Sequence, residues 1–122
     1  MHIDIQARDF SLTQALRSHV ERRVGFALGT RYDQIRRIRV RLSDINGPRG
    51  GNDKCCRLCV VLPGQADVVI EDTQANLYAA IDRATDRAGR AVARKLARIR
   101  NDRRNRLLAD VMSARALNPQ NS

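Results

Sequence analysis

Between residues 77 and 106 the chain reads LYAAIDRATDRAGRAVARKLARIRNDRRNR, and its arginines recur every three or four positions. A guanidinium is a permanent cation with a planar fork of donors, a shape suited to bidentate contacts with phosphate oxygens. On a helix turning about 100° per residue, with Arg83 as the origin, Arg87 falls at about 40°, Arg90 at about −20°, Arg94 at about 20° and Arg98 at about 60°. Leu77, Ile81, Ala88 and Ile99 gather at about 120–160° on the same wheel, so one side can be buried while the arginines form a stripe on the other. Five like charges at this spacing repel one another by roughly 0.2–0.5 kcal/mol per pair unless an anion compensates. Only Asp82 and Asp86 lie near enough in sequence to offset them. A second basic set occurs in IRRIRVRLSDI, where Arg37, Arg39 and Arg41 alternate with Ile38, Val40 and Leu42. That strand buries one face and presents three guanidinium groups on the other.

The remaining candidates for chemistry are weaker. Cys55, Cys56 and Cys59 suggest a metal or redox site, but strand alternation places Cys56 opposite the other two. Cys55 and Cys59 would stand about 13 Å apart along a strand, too far to share one tetrahedral zinc. An odd count clustered in five residues is also poor material for a disulfide framework. NGPRGGN, residues 46–52, lacks the Lys-Ser/Thr of a P-loop and opens no helix, so it reads as a flexible hairpin loop. His2 and His19 have no nucleophile or ligand partner in sequence. No catalytic residue, metal ligand set, cofactor site or small-molecule substrate is indicated, and an enzyme is not expected.

The formal charge of +10, from 23 Lys and Arg against 13 Asp and Glu, calls for a polyanion: RNA, DNA or an anionic membrane surface. No apolar run approaches the roughly 20 residues of a membrane span, and the N-terminus lacks a signal-peptide pattern, so a cytoplasmic protein with no membrane partner is expected. Phe10, Phe26, Tyr32 and Tyr78 are the only Phe, Tyr or Trp residues, which argues against a stacking platform for single strands and for folded RNA met through shape and phosphates.

The elements that would position these residues follow from periodicity. MHIDIQAR alternates as a half-buried strand. Leu12, Leu16, Val20, Val24, Ala27 and Leu28 then mark a helix, with Ser11 and Gln14 as a capping box, Phe10 as a staple and Gly29 as its stop. CCRLCVVL and DVVIE are short strands joined by a turn at PGQA, and Thr73 or Asn76 can cap the second helix. The order β-α-β-β-β-α predicts an α+β fold: a four-stranded mixed sheet, its first two strands parallel, with two helices on one face. Leu107, Leu108, Val111 and Met112 keep helical spacing, so the second helix can run to near residue 115.

IDIQARDFSLTQALRSHVERRV followed by NLYAAIDRATDRAGRAVARKL resembles the ribosome hibernation-promoting factors, which include the ribosome-associated inhibitor A proteins. The likeness covers about residues 1–100 and is strongest at LYAAID. It implies a relative of double-stranded-RNA-binding domains that lodges on the small-subunit rRNA, in the mRNA path and tRNA positions, and inhibits translation in stationary phase or stress. Arg87, Arg90, Arg94 and Arg98 match basic positions of the family's second helix, and Arg17 and Arg23 those of its first. With Arg37, Arg39, Arg41 and Arg83 they make up the expected RNA-binding set. Tyr78, Asp82 and Asp86 match further characteristic positions. The glycine-rich loop is longer than in the short members, and the segment after residue 100 matches neither the long members' dimerisation domain nor the inhibitor's acidic tail. The expected organisation is a ribosome-binding domain over 1–100 and a basic extension over 101–122, partly helical or disordered. The competing readings are a general structured-RNA-binding protein or RNA chaperone, and a redox or metal sensor built on the three cysteines.

Overall fold

The computed structural model describes residues 2–8, 10–45 and 53–117, with side chains as far as residue 115. The expected hairpin loop over 46–52 and the last residues of the extension lie outside the described residues. The elements run β1 His2–Arg8, α1 Gln14–Leu28, a 3₁₀ stretch Gly29–Gln34, β2 Arg37–Asp44, β3 Lys54–Val61, β4 Val68–Gln74 and α2 Leu77–Leu117.

The strands form one sheet in the order β1-β2-β3-β4. β1 and β2 are parallel, as a strand–helix–strand connection requires, and β2, β3 and β4 are antiparallel. The alternation read in the sequence decides the faces. Ile5 of β1, Ile38, Val40 and Leu42 of β2, and Cys56, Leu58 and Val60 of β3 are buried. They meet the apolar stripes of α1 (Leu16, Val20, Val24, Leu28) and α2 (Ala80, Ile81, Ala84, Ala88, Val92), all buried as well. This is the expected α+β arrangement, a mixed sheet with both helices on one face.

Local chemistry sets the boundaries. α1 starts two residues later than the Ser11 capping box suggests. Thr13 is the cap: its extended backbone (φ −78°, ψ 159°) lets its hydroxyl accept from Leu16 N at 3.2 Å, while Arg17 N begins the ladder by donating to Thr13 O at 3.0 Å. Gly29 does end α1, but in the right-handed region (φ −60°), and the chain tightens into the 3₁₀ stretch that the sequence pattern does not announce. Between β3 and β4, Gly64 has φ 70° and Gln65 N donates to Leu62 O at 3.2 Å, so the expected turn forms around Pro63-Gly64. Asn76 rather than Thr73 caps α2, its Oδ1 accepting from Tyr78 N at 2.7 Å. Thr73 is spent in β4. The helices are in close contact at Gly89, where a Cβ would lie 3.0 Å from the Ala27 carbonyl oxygen and 3.3 Å from its Cβ. Met1–Val92 and Ala93–Ser122 form separate compact units, and α2 contributes to both.

Candidate nucleic-acid interface

The face of the sheet turned away from the helices carries the arginines of β2. In register across it stand four rows: His2, Arg37 and Val61; Asp4, Arg39, Cys59 and Val69; Gln6, Arg41, Arg57 and Glu71; Arg8, Ser43, Cys55 and Thr73. Arg37, Arg39, Arg41 and Arg57 are all exposed, and with Asp4, Gln6, Cys59 and Asp67 they line a depression of about 620 Å³. The positive charge therefore runs down the two central strands and reaches Arg8 at the end of β1, while Asp4 and Glu71 lie on the outer strands. Arg57 pairs loosely with Glu71 at 3.8 Å. Arg37, Arg39 and Arg41 have no carboxylate within ion-pair distance among the described residues. Arg57, and Arg8 at the end of β1, which lines a depression with Gln6 and Arg41, are the members of this face that the expected site set lacks, although their parity with Cys59 and with Asp4 and Gln6 marks them as outward.

The arginines of α2 divide. Arg87 donates to Asp72 Oδ2 at 3.1 Å and to Glu71 O at 2.9 Å, and Arg83 lies 3.7 Å from the same Asp72 oxygen. Asp72 is 8% exposed and also accepts from Gln74 Nε2 at 2.7 Å. A carboxylate this buried needs such partners, so Arg83 and Arg87 help fasten α2 to β4. Nothing in the sequence pairs Asp72 with residues 11 and 15 positions on, since only the packing of α2 brings them together. Arg90 pairs with Asp86 at 2.9 Å. Farther along α2, Arg94 and Arg98 are exposed with no ion pair among the described residues. Beyond them Leu107, Leu108, Val111 and Met112 are exposed, and with Arg100, Arg103 and Arg104 the first three line an apolar depression.

On α1, Arg17 and Arg22 are exposed, whereas Arg23 Nε lies 3.2 Å from Asp82 Oδ1. His19 Nε2 shares that oxygen at 2.6 Å, and its ring meets Tyr78 edge-on with centroids 4.9 Å apart. Asp82, matched by resemblance to a characteristic family position, thus joins the two helices.

Elsewhere little is arranged for chemistry. Cys55 and Cys56 are buried, and burial pushes the Cys56 thiol up to about 12, helped by Cys55 and Asp72. Cys59 is half-buried, its thiol also raised by burial, and donates to Asp67 Oδ2 at 3.6 Å. Both are therefore poor thiolate nucleophiles or ligands. No group of three metal-ligating side chains occurs among the described residues. Lys54 Nζ donates to Asp44 at 2.7 Å and stands 3.4 Å from buried Asp53; the Asp44 bond is the main reason its pKa is raised. No helix among the described residues is long and apolar enough to cross a membrane.

Residues 3–100 match the family model described as sigma 54 modulation protein / S30EA ribosomal protein. The chain belongs to this family. S30EA membership covers every arginine of the expected RNA-binding set and agrees with the hibernation-factor resemblance. Two solved structures share the S30EA fold. A ribosomal subunit interface protein from Coxiella burnetii superposes with a TM-score of 0.68 at 21% identity, covering 80% of this chain and 99% of the other. The N-terminal domain of Thermus thermophilus Protein Y superposes with a TM-score of 0.62 at 33% identity, covering 77% and 98%. No curated protein matches the chain significantly. Residues 101–117 of α2 lie beyond the S30EA span.

Proposed function

We propose that this S30EA protein is a cytoplasmic ribosome hibernation factor, which binds the rRNA of the small subunit in the mRNA and tRNA channel and inhibits translation in stationary phase or stress. It acts by occupancy, without catalysis or cofactor. The observation that carries the reading is the open sheet face, where Arg37, Arg39 and Arg41 stand in consecutive outward positions of one strand with no carboxylate partner among the described residues, inside the span that defines the family. Three cations held without counter-ions are costly for a domain that has no anion to meet. Arg17, Arg94 and Arg98 are likewise uncommitted, whereas Arg23, Arg83, Arg87 and Arg90 must share themselves with Asp82, Asp72 and Asp86. Within the ribosome-binding region 1–100, the first group is assigned the phosphate contacts and the second a supporting part. The basic extension 101–122 adds non-specific affinity.

Co-sedimentation with purified small subunits tests this. Binding should fall steeply with salt, by roughly 10³-fold between about 50 and 200 mM if six phosphates are neutralised, and tRNA and mRNA should compete. R37A/R39A/R41A should weaken binding more than R83A/R90A. Equal affinity for an arbitrary RNA duplex at physiological salt would instead make the chain a general structured-RNA binder.

A further inference from the structure

A second kind of contact resides on α1, and it deepens the RNA reading just given. The chain has few aromatic side chains, but the fold sorts them. Phe10 and Tyr32 are partly covered, whereas Phe26 is 85% and Tyr78 40% exposed. A lone exposed apolar side chain is ordinary. Phe26 is not alone: His19 lies two turns earlier on the same side of α1, about 10 Å along the axis, and Tyr78 abuts His19 edge-on at 4.9 Å. Between them stand Arg22, exposed and without a carboxylate partner among the described residues, and Arg23, held by Asp82. The strip sets the exposed Phe26 ring and the partly exposed Tyr78 ring beside these guanidinium groups, with the His19 ring largely covered. Asp82, the carboxylate beside it, is already engaged by His19 and Arg23.

The backbone that carries the ring is packed. Ala27, the next residue, is in close contact with Gly89 of α2, and α1 ends at Leu28. Phe26 is therefore presented from a packed helix and not from a loose segment.

We propose that Phe26 is a stacking site for an unpaired nucleobase of the bound RNA, with Arg22 on the adjoining phosphate and Tyr78, braced edge-on by His19, as a second platform. The neighbours of Phe26 one turn away are Arg22, Arg23, Gly29 and Thr30, none of them aliphatic. A protein hot spot or a lipid surface is favoured by an apolar surround, which these chain neighbours of Phe26 do not supply. A base needs one π face and a cation near its phosphate. The scarcity of aromatics, which argues against a stacking platform at the level of composition, is offset by their collection on one basic strip.

The test uses the full-length protein. The chain contains no tryptophan, so F26W introduces a single reporter at an exposed position. Its emission should be quenched by a single-stranded oligoribonucleotide and much less by a blunt duplex at equal phosphate concentration. F26A should weaken binding of the single strand about ten-fold, leaving duplex binding and the melting temperature unchanged. Equal losses for both RNAs, no loss for either, or F26W emission that responds to intact small subunits but to no protein-free RNA would each overturn the assignment, the last by placing a protein on the ring. Failure of the wild-type chain to co-sediment with small subunits would sink the ribosomal reading, while the oligonucleotide measurements would still decide the stacking site.

Discussion

Replacing Arg41 with threonine should make the protein more stable and a weaker binder of RNA at the same time. Arg41 faces Arg57 directly across β2 and β3 and has only Gln6 on its other side. Glu71 reaches Arg57 at 3.8 Å with both side chains more than half exposed, so it offsets little of the repulsion. Like charges directly opposite in a sheet cost on the order of 0.2–1 kcal/mol, and threonine adds a few tenths through its better fit to a pleated surface. A gain of about 0.5–1 kcal/mol is expected. For 122 residues, at about 2.1 cal/mol/K per residue, this raises Tm by about 2–4 °C. The charge-derived part should shrink in about 1 M salt, where screening acts within about 3 Å. Melts of R41T and wild type at low and high salt measure the first effect. Co-sedimentation across a salt series measures the second, whose log–log slope should become shallower by about 0.7–0.9 for one lost phosphate contact. A lowered Tm, or a gain equal at both ionic strengths, would refute the electrostatic argument. An unchanged slope would remove Arg41 from the phosphate path.

Other expectations follow from the packing. Because the Cys56 thiol is raised from 9.0 to about 12 in the fold, the native state holds its proton where the unfolded chain has lost it. The stability this contributes is intact below about pH 9 and is lost as pH climbs towards about 12; urea midpoints at about pH 8 and about pH 10.5 should diverge less in C56A, and an identical divergence would point to another group. G89V drives a branched side chain against the Ala27 carbonyl, 3.0 Å from the Cβ position, and should cost about 1–3 kcal/mol in a thermal or urea melt; an unchanged melt would mean that the helices separate freely there. Truncation after Ile99 removes Arg100, Arg103, Arg104, Arg106 and Arg115, all exposed, and should leave the melting temperature nearly unchanged while reducing affinity for small subunits at low salt. A collapsed melt would show instead that the segment supports the domain.

Strands were legible wherever one face is buried, because a period of two writes that burial directly into the sequence: Ile38, Val40 and Leu42 against Arg37, Arg39 and Arg41. The helix stripes were legible for the same reason, at a period near 3.6. What escaped was decided by tertiary geometry or by near-equivalent choices. Ser11 and Thr13 offer the same hydroxyl, and only the backbone of Thr13 reaches Leu16 N. The arginine stripe of α2 looked uniform, yet Asp72, delivered by a neighbouring strand, engages Arg83 and Arg87 and leaves Arg94 and Arg98 uncommitted. Arg57 was readable by parity. The meeting of His19 with Tyr78, 59 positions apart, was not.

The preference for arginine over lysine on the open sheet face has a regulatory consequence. Cells erase positive charge most readily by acetylating lysine, a reaction to which a guanidinium is inert, and this chain has only Lys54 and Lys95, the former bonded to Asp44. Nor does a guanidinium lose its proton at any pH a living cell reaches. The positive charge of this face is thus fixed against acetylation and against pH, which leaves competing ligands, ionic conditions and the amount of protein made as the levers that act on it without altering an arginine.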